Sequence, residues 1–317
     1  MPAAPPKPTI SVIIPIYRSQ DTVTRALNSV IRQSFQDFEI IVVDDASPDE
    51  SAAIAKEWAA RNSMQLEVVQ FKKNRGPSAA RNAGASAARA EYIAFLDSDD
   101  EWLPDKLAAQ LEVMERDHNV VLVGCNAEWI AGNKIVERIA DDSVDDGPEA
   151  WKALLESSFI STPCAFVRAS AFKEVRGFRE DLTVGEDQDL WIRLAFMGNV
   201  IFIDDVLVHI HIRSDSLMKR ATLKAATQYV PMIEGHVRSL GPRLSRSERR
   251  RILGRKYGDV GRDMYVRTGS RLLGLRLIAK AIIRGYRPIE HAFFLIHRSP
   301  FIIKLRGLLS SMLIDHA

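Results

Sequence analysis

Cysteine is scarce: Cys125 and Cys164 are the only two in 317 residues. Two thiols in apolar surroundings make no disulfide framework, so the fold must rest on a hydrophobic core. No uninterrupted apolar stretch is long enough to span a bilayer. The start, MPAAPPKPTI, is rich in Pro and Ala and lacks the apolar centre of a secretory leader. These absences set the expectation of a cytoplasmic protein, free or peripheral on the inner face of the cell membrane. Acids are the other scarcity, and it is local. From Lys219 onward there are 21 Lys and Arg against 6 Asp and Glu, while residues 1–218 hold the remaining 22 and 35. A net charge of +2 thus conceals two regions of opposite sign, which suggests two jobs. Apolar content of 46% is ordinary for a globular chain. The length allows one large α/β domain with an appendage, or two domains.

Residues 1–8 read as a flexible tail. Thr9 to Ile16 is a β-branched run and a central-strand candidate, with Pro15 expected to end it. Val23, Ala26, Leu27, Val30 and Ile31 then recur at helical spacing. Phe38 to Val43 is a second strand, ending in Asp44 and Asp45, and Leu66 to Phe71 a third. Arg75-Gly76-Pro77 forms a turn before an Ala-rich segment, Ser78 to Ala90, small enough to pack a helix close against a sheet. Arg75 and Arg81 are its charges facing the sheet rim, and guanidinium forks suit phosphate oxygens. A fourth strand, Tyr92 to Leu96, delivers Asp97, Asp99 and Asp100 around Ser98. Strands alternating with helices predict a parallel sheet with right-handed crossovers. Both acid groups then share the rim where open α/β folds bind ligands. Clustered carboxylates raise each other's pKa unless a cation lies between them, and oxygen ligands of this kind suit Mg²⁺ or Mn²⁺. The bland alternative is a solvated acidic turn, and Asp100 fits that reading well.

Further on, Pro104 to His118 reads as a helix, 120–123 as a strand, and 127–130 with 134–139 as a hairpin. Glu149–Leu155 reads as a short helix, 164–167 as a strand, and 201–204 with 206–212 as two closing strands. Gly185 marks a turn, and Glu186 and Asp187 open a helix. Acids in a first helical turn are favoured by the helix dipole, so simple capping competes with a general base at the cleft.

Five segments carry a resemblance: SVIIPIYR at 11–18, EIIVVDDASPDES at 39–51, NRGPSAARNAG at 74–84, YIAFLDSDDEWLPDKL at 92–107 and GEDQDLWIRL at 185–194. In this order and spacing the chain resembles the inverting family 2 glycosyltransferases of GT-A fold. The resemblance implies an α/β, Rossmann-like and mostly parallel sheet flanked by helices over 9–217, followed by a basic helical region at 218–317. It implies a metal-dependent glycosyltransferase of the hexosyl-transfer type that takes a nucleotide-sugar donor, with uridine diphosphate the first expectation. The acceptor is expected to be a glycan or a polyprenyl-lipid-linked glycan in cell-surface or exopolysaccharide synthesis. It places Pro15, Tyr17, Asp44, Asp45, Arg75 and Arg81 at the donor, with Asp45 for the base and Arg81 for the diphosphate. The resemblance implies Asp99 as the direct ligand of Mn²⁺ or Mg²⁺, with Asp97 beside it and nearer the ribose, and Asp187 as the catalytic base, with Glu186 next to it. The family's Arg-x-His-x-x-Ser falls on His211 to Ser216, where the basic types are exchanged, so His211 and Arg213 have donor-side roles that are not assigned between them. The Gln-x-x-Arg-Trp signature of processive synthases is absent, so one transfer per encounter is expected.

The basic region reads as helices over about 219–238, 245–267, 270–284 and 288–313. Packed helices with a basic amphipathic face for an anionic membrane are favoured over nucleic-acid binding through Arg246, Arg249, Arg250, Arg251 and Arg255. No aromatic residues interleave with those arginines as a stacking platform requires. Two rival functions are a sugar nucleotidyltransferase and a non-catalytic nucleotide-sugar-binding protein. The first needs a Gly-rich, Lys-containing loop after the first strand, which residues 15–19 are not. The second predicts loss of Asp99 or Asp187, and both are present.

Overall fold

A computed structural model describes residues 7–132, 134–140, 144–212, 223–267 and 270–287. The chain divides into two compact units, Met1–Asp215 and Ser216–Ala317.

The first unit is an α/β sandwich around a nine-stranded sheet. Its first half follows the strand–helix alternation of the sequence: β1 (Ile10–Ile16), α1 (Val23–Ile31), β2 (Phe38–Asp44), α2 (Ser51–Arg61), β3 (Leu66–Gln70), α3 (Pro77–Ala87) and β4 (Tyr92–Phe95). These strands lie in the order β3-β2-β1-β4, all parallel. Valine and isoleucine dominate β1 and β2 because helices cover both faces; of the polar residues, Ser11 donates to Glu39 at 2.6 Å and Asp44 stands at the rim. Pro15 does not end β1. The strand continues to Ile16 paired with Asp44 of β2, whereas β4 pairs only with Ile10–Ile13. Pro15 therefore sits where one flank of β1 has no strand, and its missing N–H costs the ladder little. The small residues of α3 bring it onto β1: a side chain built on Gly84 would meet Ile13 Cγ2 at 2.5 Å.

The second half is mixed. It comprises β5 (Glu101–Trp102), α4 (Lys106–Arg116), β6 (Val120–Ala131), β7 (Lys134–Arg138), α5 (Ala150–Glu156), β8 (Phe166–Arg168), α6 (Ala169–Glu174), α7 (Glu186–Leu194) and β9 (Asn199–His211). β8 enters antiparallel between β4 and β6, and β9 runs parallel to β6. The two closing strands expected at 201–212 are one strand. Register shifts on β6 around Asn126 absorb the polar break at Asp204 and Asp205. Likewise, the strand at 120–123 runs on into the hairpin as a single β6. Residues 162–164 form a 3₁₀ turn, so the short strand starts at Phe166.

In the second unit a π-helical turn (Ala225–Tyr229) leads into α8 (Val230–Ser239), α9 (Arg246–Arg267) and α10 (Arg271–Ile283). Their shared core is Val230, Tyr257, Val260, Met264, Leu277 and Ala281. α9 and α10 meet at glycines, since a side chain on Gly261 would lie 3.0 Å from the Gly274 carbonyl. The helix expected at 288–313 lies outside the described residues. No helix among the described residues is long and apolar enough to cross a membrane.

Candidate active site

Parallel β1, β2 and β4 end at the same rim. The rim receives Asp44 and Asp45 from β2, and Asp97 to Asp100 just past β4. The centre of the site is Arg81. It projects from α3, is only 5% exposed, and donates from Nη2 to Asp97 Oδ1 at 2.6 Å. Its Nη1 lies 3.7 Å from Glu186 Oε1 at the start of α7, and its guanidinium sits 5.4 Å from the centre of the Phe178 ring. Burial works against the charge, but Asp97, Glu186 and Asp187 outweigh it and hold Arg81 protonated. Nε and Nη1 are buried without a hydrogen-bond acceptor. Buried donors in this state call for an acceptor, and anionic oxygens are the best ones.

Asp187 follows Gly185, whose left-handed backbone (φ 77°) turns the chain into α7. Its Oδ1 accepts from the Gln188 N–H at 2.6 Å, and the residue keeps part of its surface in solvent. Burial, and then the Glu186 carboxylate, push Asp187 up to about 7, against the pull of the Gln188 N–H and Arg81. A carboxyl poised there can accept a proton near neutral pH. Asp189, two residues on, is buried and paired with Arg193 at 2.7 Å, which is a structural use of the same acid-rich turn.

Asp100 is no solvated turn residue. It is 4% exposed and accepts the His211 N–H at 3.0 Å. Burial and the charges of Asp97 and Asp99 raise its pKa well above the usual carboxylate range. The Asp99 carbonyl accepts from Arg25 of α1. His211 Nε2 lies 3.7 Å from Glu101, and burial, followed by Arg25, pushes its pKa down. Arg213 lies outside the described residues.

The β2 acids are buried too. Asp44 accepts from Ser47 N at 2.9 Å and Gln70 Nε2 at 3.2 Å. Asp45 accepts from Arg75 N at 2.6 Å and Gly76 N at 2.8 Å, which fixes the turn that starts α3. The Arg75 guanidinium turns away to Glu180 at 3.1 Å and stacks on Phe71. Pro15 and Tyr17 stand at the end of β1, with Tyr17 40% exposed. The Tyr17 N–H donates to Ser19 Oγ at 3.3 Å, and that hydroxyl bonds Ser98 Oγ at 2.7 Å, joining the β1 and β4 loops.

The structure thus brings Arg81, Asp97, Glu186 and Asp187 into one cluster, with Asp99, Asp100 and His211 beside it. It does not bring the Arg75 side chain there. Sequence reasoning missed Arg25 and the Ser19–Ser98 pair, which carry no periodic or motif signal. Among the described residues no three His, Cys, Asp or Glu converge as a metal cage. A Mg²⁺-type ion bound through one or two carboxylates and substrate phosphates needs none. Burial raises Asp100 first, and the Asp97 and Asp99 charges that add to it fit a divalent cation at those two residues.

The sequence model of "Glycosyl transferase family 2" matches residues 11–176, just over half of the chain. An uncharacterized glycosyltransferase of Rickettsia conorii, RC0461, is 32% identical over 204 residues, covering 64% of this chain and 33% of that protein. This chain therefore spans about a third of the length of that relative. A Bacillus subtilis protein named as a teichuronic acid biosynthesis glycosyltransferase, TuaG, is 41% identical over 108 residues, covering 34% of this chain and 42% of that one. Among solved structures, the mannosyltransferase PcManGT of Pyrobaculum calidifontis, in complex with GDP-Man and Mn²⁺, superposes with a TM-score of 0.62 at 18% identity. That match covers 94% of this chain and 83% of the other.

Proposed function

The chain belongs to glycosyl transferase family 2, and on that premise we propose that it moves one sugar from a nucleotide-diphosphate sugar to an acceptor hydroxyl with inversion. Its fold is that of the GT-A glycosyltransferases. The observation that carries the reading is the cluster in which Asp187, its pKa near 7, stands beside an arginine with two buried nitrogens that make no hydrogen bond. Asp187 removes the proton of the acceptor hydroxyl. That oxygen attacks the anomeric carbon from the face opposite the nucleotide. The bond from this carbon to the phosphate oxygen breaks, and its electron pair leaves with the nucleoside diphosphate. Arg81 donates to the departing phosphate from Nε and Nη1. A divalent cation, Mn²⁺ or Mg²⁺, held by Asp99 with Asp97, supplies further positive charge to the leaving group when bound. Asp45 shapes the Arg75–Gly76 turn against which the nucleoside lies, with Asp44 on the ribose side. Pro15 and Tyr17 line its other flank, and His211 closes the diphosphate end.

Uridine diphosphate is the first expectation for the donor nucleotide. The acceptor is a glycan or a polyprenyl-linked glycan of a cell-surface or extracellular polysaccharide, a reading supported by the likeness to TuaG. The basic helices after residue 218 would then rest on the anionic leaflet that carries it, rather than on nucleic acid. Asp187→Asn tests the assignment. Transfer is abolished while donor affinity stays within about twofold; near-normal turnover would remove Asp187 from the mechanism.

A further inference from the structure

A second cavity, of about 700 Å³, lies away from the donor rim. Ile93, near the start of β4, lines it, whereas Asp97 follows that strand's opposite end. Its floor is small and apolar, with Ala88, Ile93 and Phe172. Among the described residues three cations border it, Lys7, Lys173 and Arg176, and no acid does. Among the described residues none of these three side chains has an ion-pair or hydrogen-bond partner. Glu180, which bonds the cavity residue Asn82 at 3.3 Å, gives its other oxygen to Arg75 at 3.1 Å. The volume suits a small ligand.

The backbone at the rim supplies a second observation. Arg176 follows α6 in the left-handed region (φ 63°), where glycine or asparagine is the usual occupant. Its neighbour Gly177 has the same φ and no room for a side chain, since a Cβ would meet Asn82 Oδ1 at 2.5 Å. A long cation is thus held in a conformation that disfavours it, beside a cavity without a counter-charge. Such strain gathers at ligand sites.

We propose that this cavity is a binding site for the phosphate of a phosphate ester, separate from the donor site. Lys7, Lys173 and Arg176 take the anion, and the alanine–phenylalanine floor takes the body that carries it. The ester is either a soluble metabolite or the headgroup of an anionic lipid.

The test uses the full chain and a Lys173→Gln/Arg176→Gly variant, in EDTA to suppress metal-assisted binding at the donor rim. Glycine carries φ 63° without strain, so the Arg176→Gly change by itself keeps or raises the melting temperature, and that single variant stands in if the double one is unstable. Calorimetric titration with inorganic pyrophosphate reads the soluble source. Sedimentation with phosphatidylglycerol vesicles, against phosphatidylcholine vesicles, reads the lipid source. A fall of at least tenfold in pyrophosphate affinity in the variant supports a soluble ligand. Sedimentation with phosphatidylglycerol that is weaker in the variant than in wild type, beyond the share the basic helices after residue 218 give to both, supports a lipid headgroup. Equal behaviour of wild type and variant in both arms, whether both bind or neither does, overturns the proposal.

Discussion

Replacing Asp187 by Asn should trade activity for stability, in a way that depends on pH. Burial and Glu186 lift the Asp187 carboxyl from 3.8 to about 7. At 1.36 kcal/mol per unit, that is a ceiling of about 4 kcal/mol between its protonated and ionised forms. The residue keeps some solvent contact, so screening lowers the real figure. The sign follows from linkage: the folded state holds this proton more tightly than the unfolded chain does. The corresponding stability is complete below about pH 4 and is lost as pH rises to about 7. Asn behaves as the protonated acid at every pH. Urea unfolding at pH 4 should therefore give similar stabilities, and at pH 8 the variant should be the more stable, by up to about 4 kcal/mol. The wild-type kcat/KM should fall about tenfold per pH unit below 7 and level off above it, while the variant sits about 10²–10⁴-fold lower. A wild-type rate profile breaking near pH 4, or a variant that is no more stable at pH 8 and still transfers sugar, would refute the reasoning.

Three more outcomes follow from particular contacts. Gly84→Ala forces a methyl to within 2.5 Å of Ile13 Cγ2, so it should destabilise by about 1–3 kcal/mol in denaturant titration; no loss would mean that α3 can lift from the sheet. Lys106 is fully buried, bonds Gln110 at 2.6 Å and sits over Trp102, and burial pushes its pKa down to about 8 from 10.5. The folded state holds this proton less tightly, so wild-type stability should climb by up to about 3 kcal/mol from pH 8 to 10.5, and Lys106→Met should abolish that slope; a flat wild-type curve contradicts it. Arg81→Leu strips the half-buried Asp97 of its 2.6 Å partner and should destabilise by about 1–3 kcal/mol. A melting temperature unchanged by Arg81→Leu would contradict the pairing.

The parallel half of the sheet was legible because its strands are bounded runs of Val and Ile, each followed by a helical period. Strand order was not, since β1 lies between β2 and β4 through tertiary packing that no local window encodes. The antiparallel β8 is three residues long and follows a 3₁₀ turn, too short to show a period. At the site, Asp97, Asp187 and Arg81 were singled out through the family resemblance, and the structure brings the three into one cluster. Asp100 was not readable as a buried acid, because its burial comes from β9, which brings the His211 N–H from 111 residues away. Arg25 escaped notice because its partner is the Asp99 backbone carbonyl, a group present in every residue.

The central claim is a nucleotide-sugar donor site that acts with a metal at the rim of β1, β2 and β4. Thermal shifts with UDP, GDP, CDP and dTDP, each with and without Mn²⁺, on wild type and Asp99→Ala, test it most directly. One nucleotide should raise the wild-type melting temperature only when Mn²⁺ is present, and should fail to do so on Asp99→Ala. No shift with any nucleotide, or the same shift in both proteins, would contradict the account.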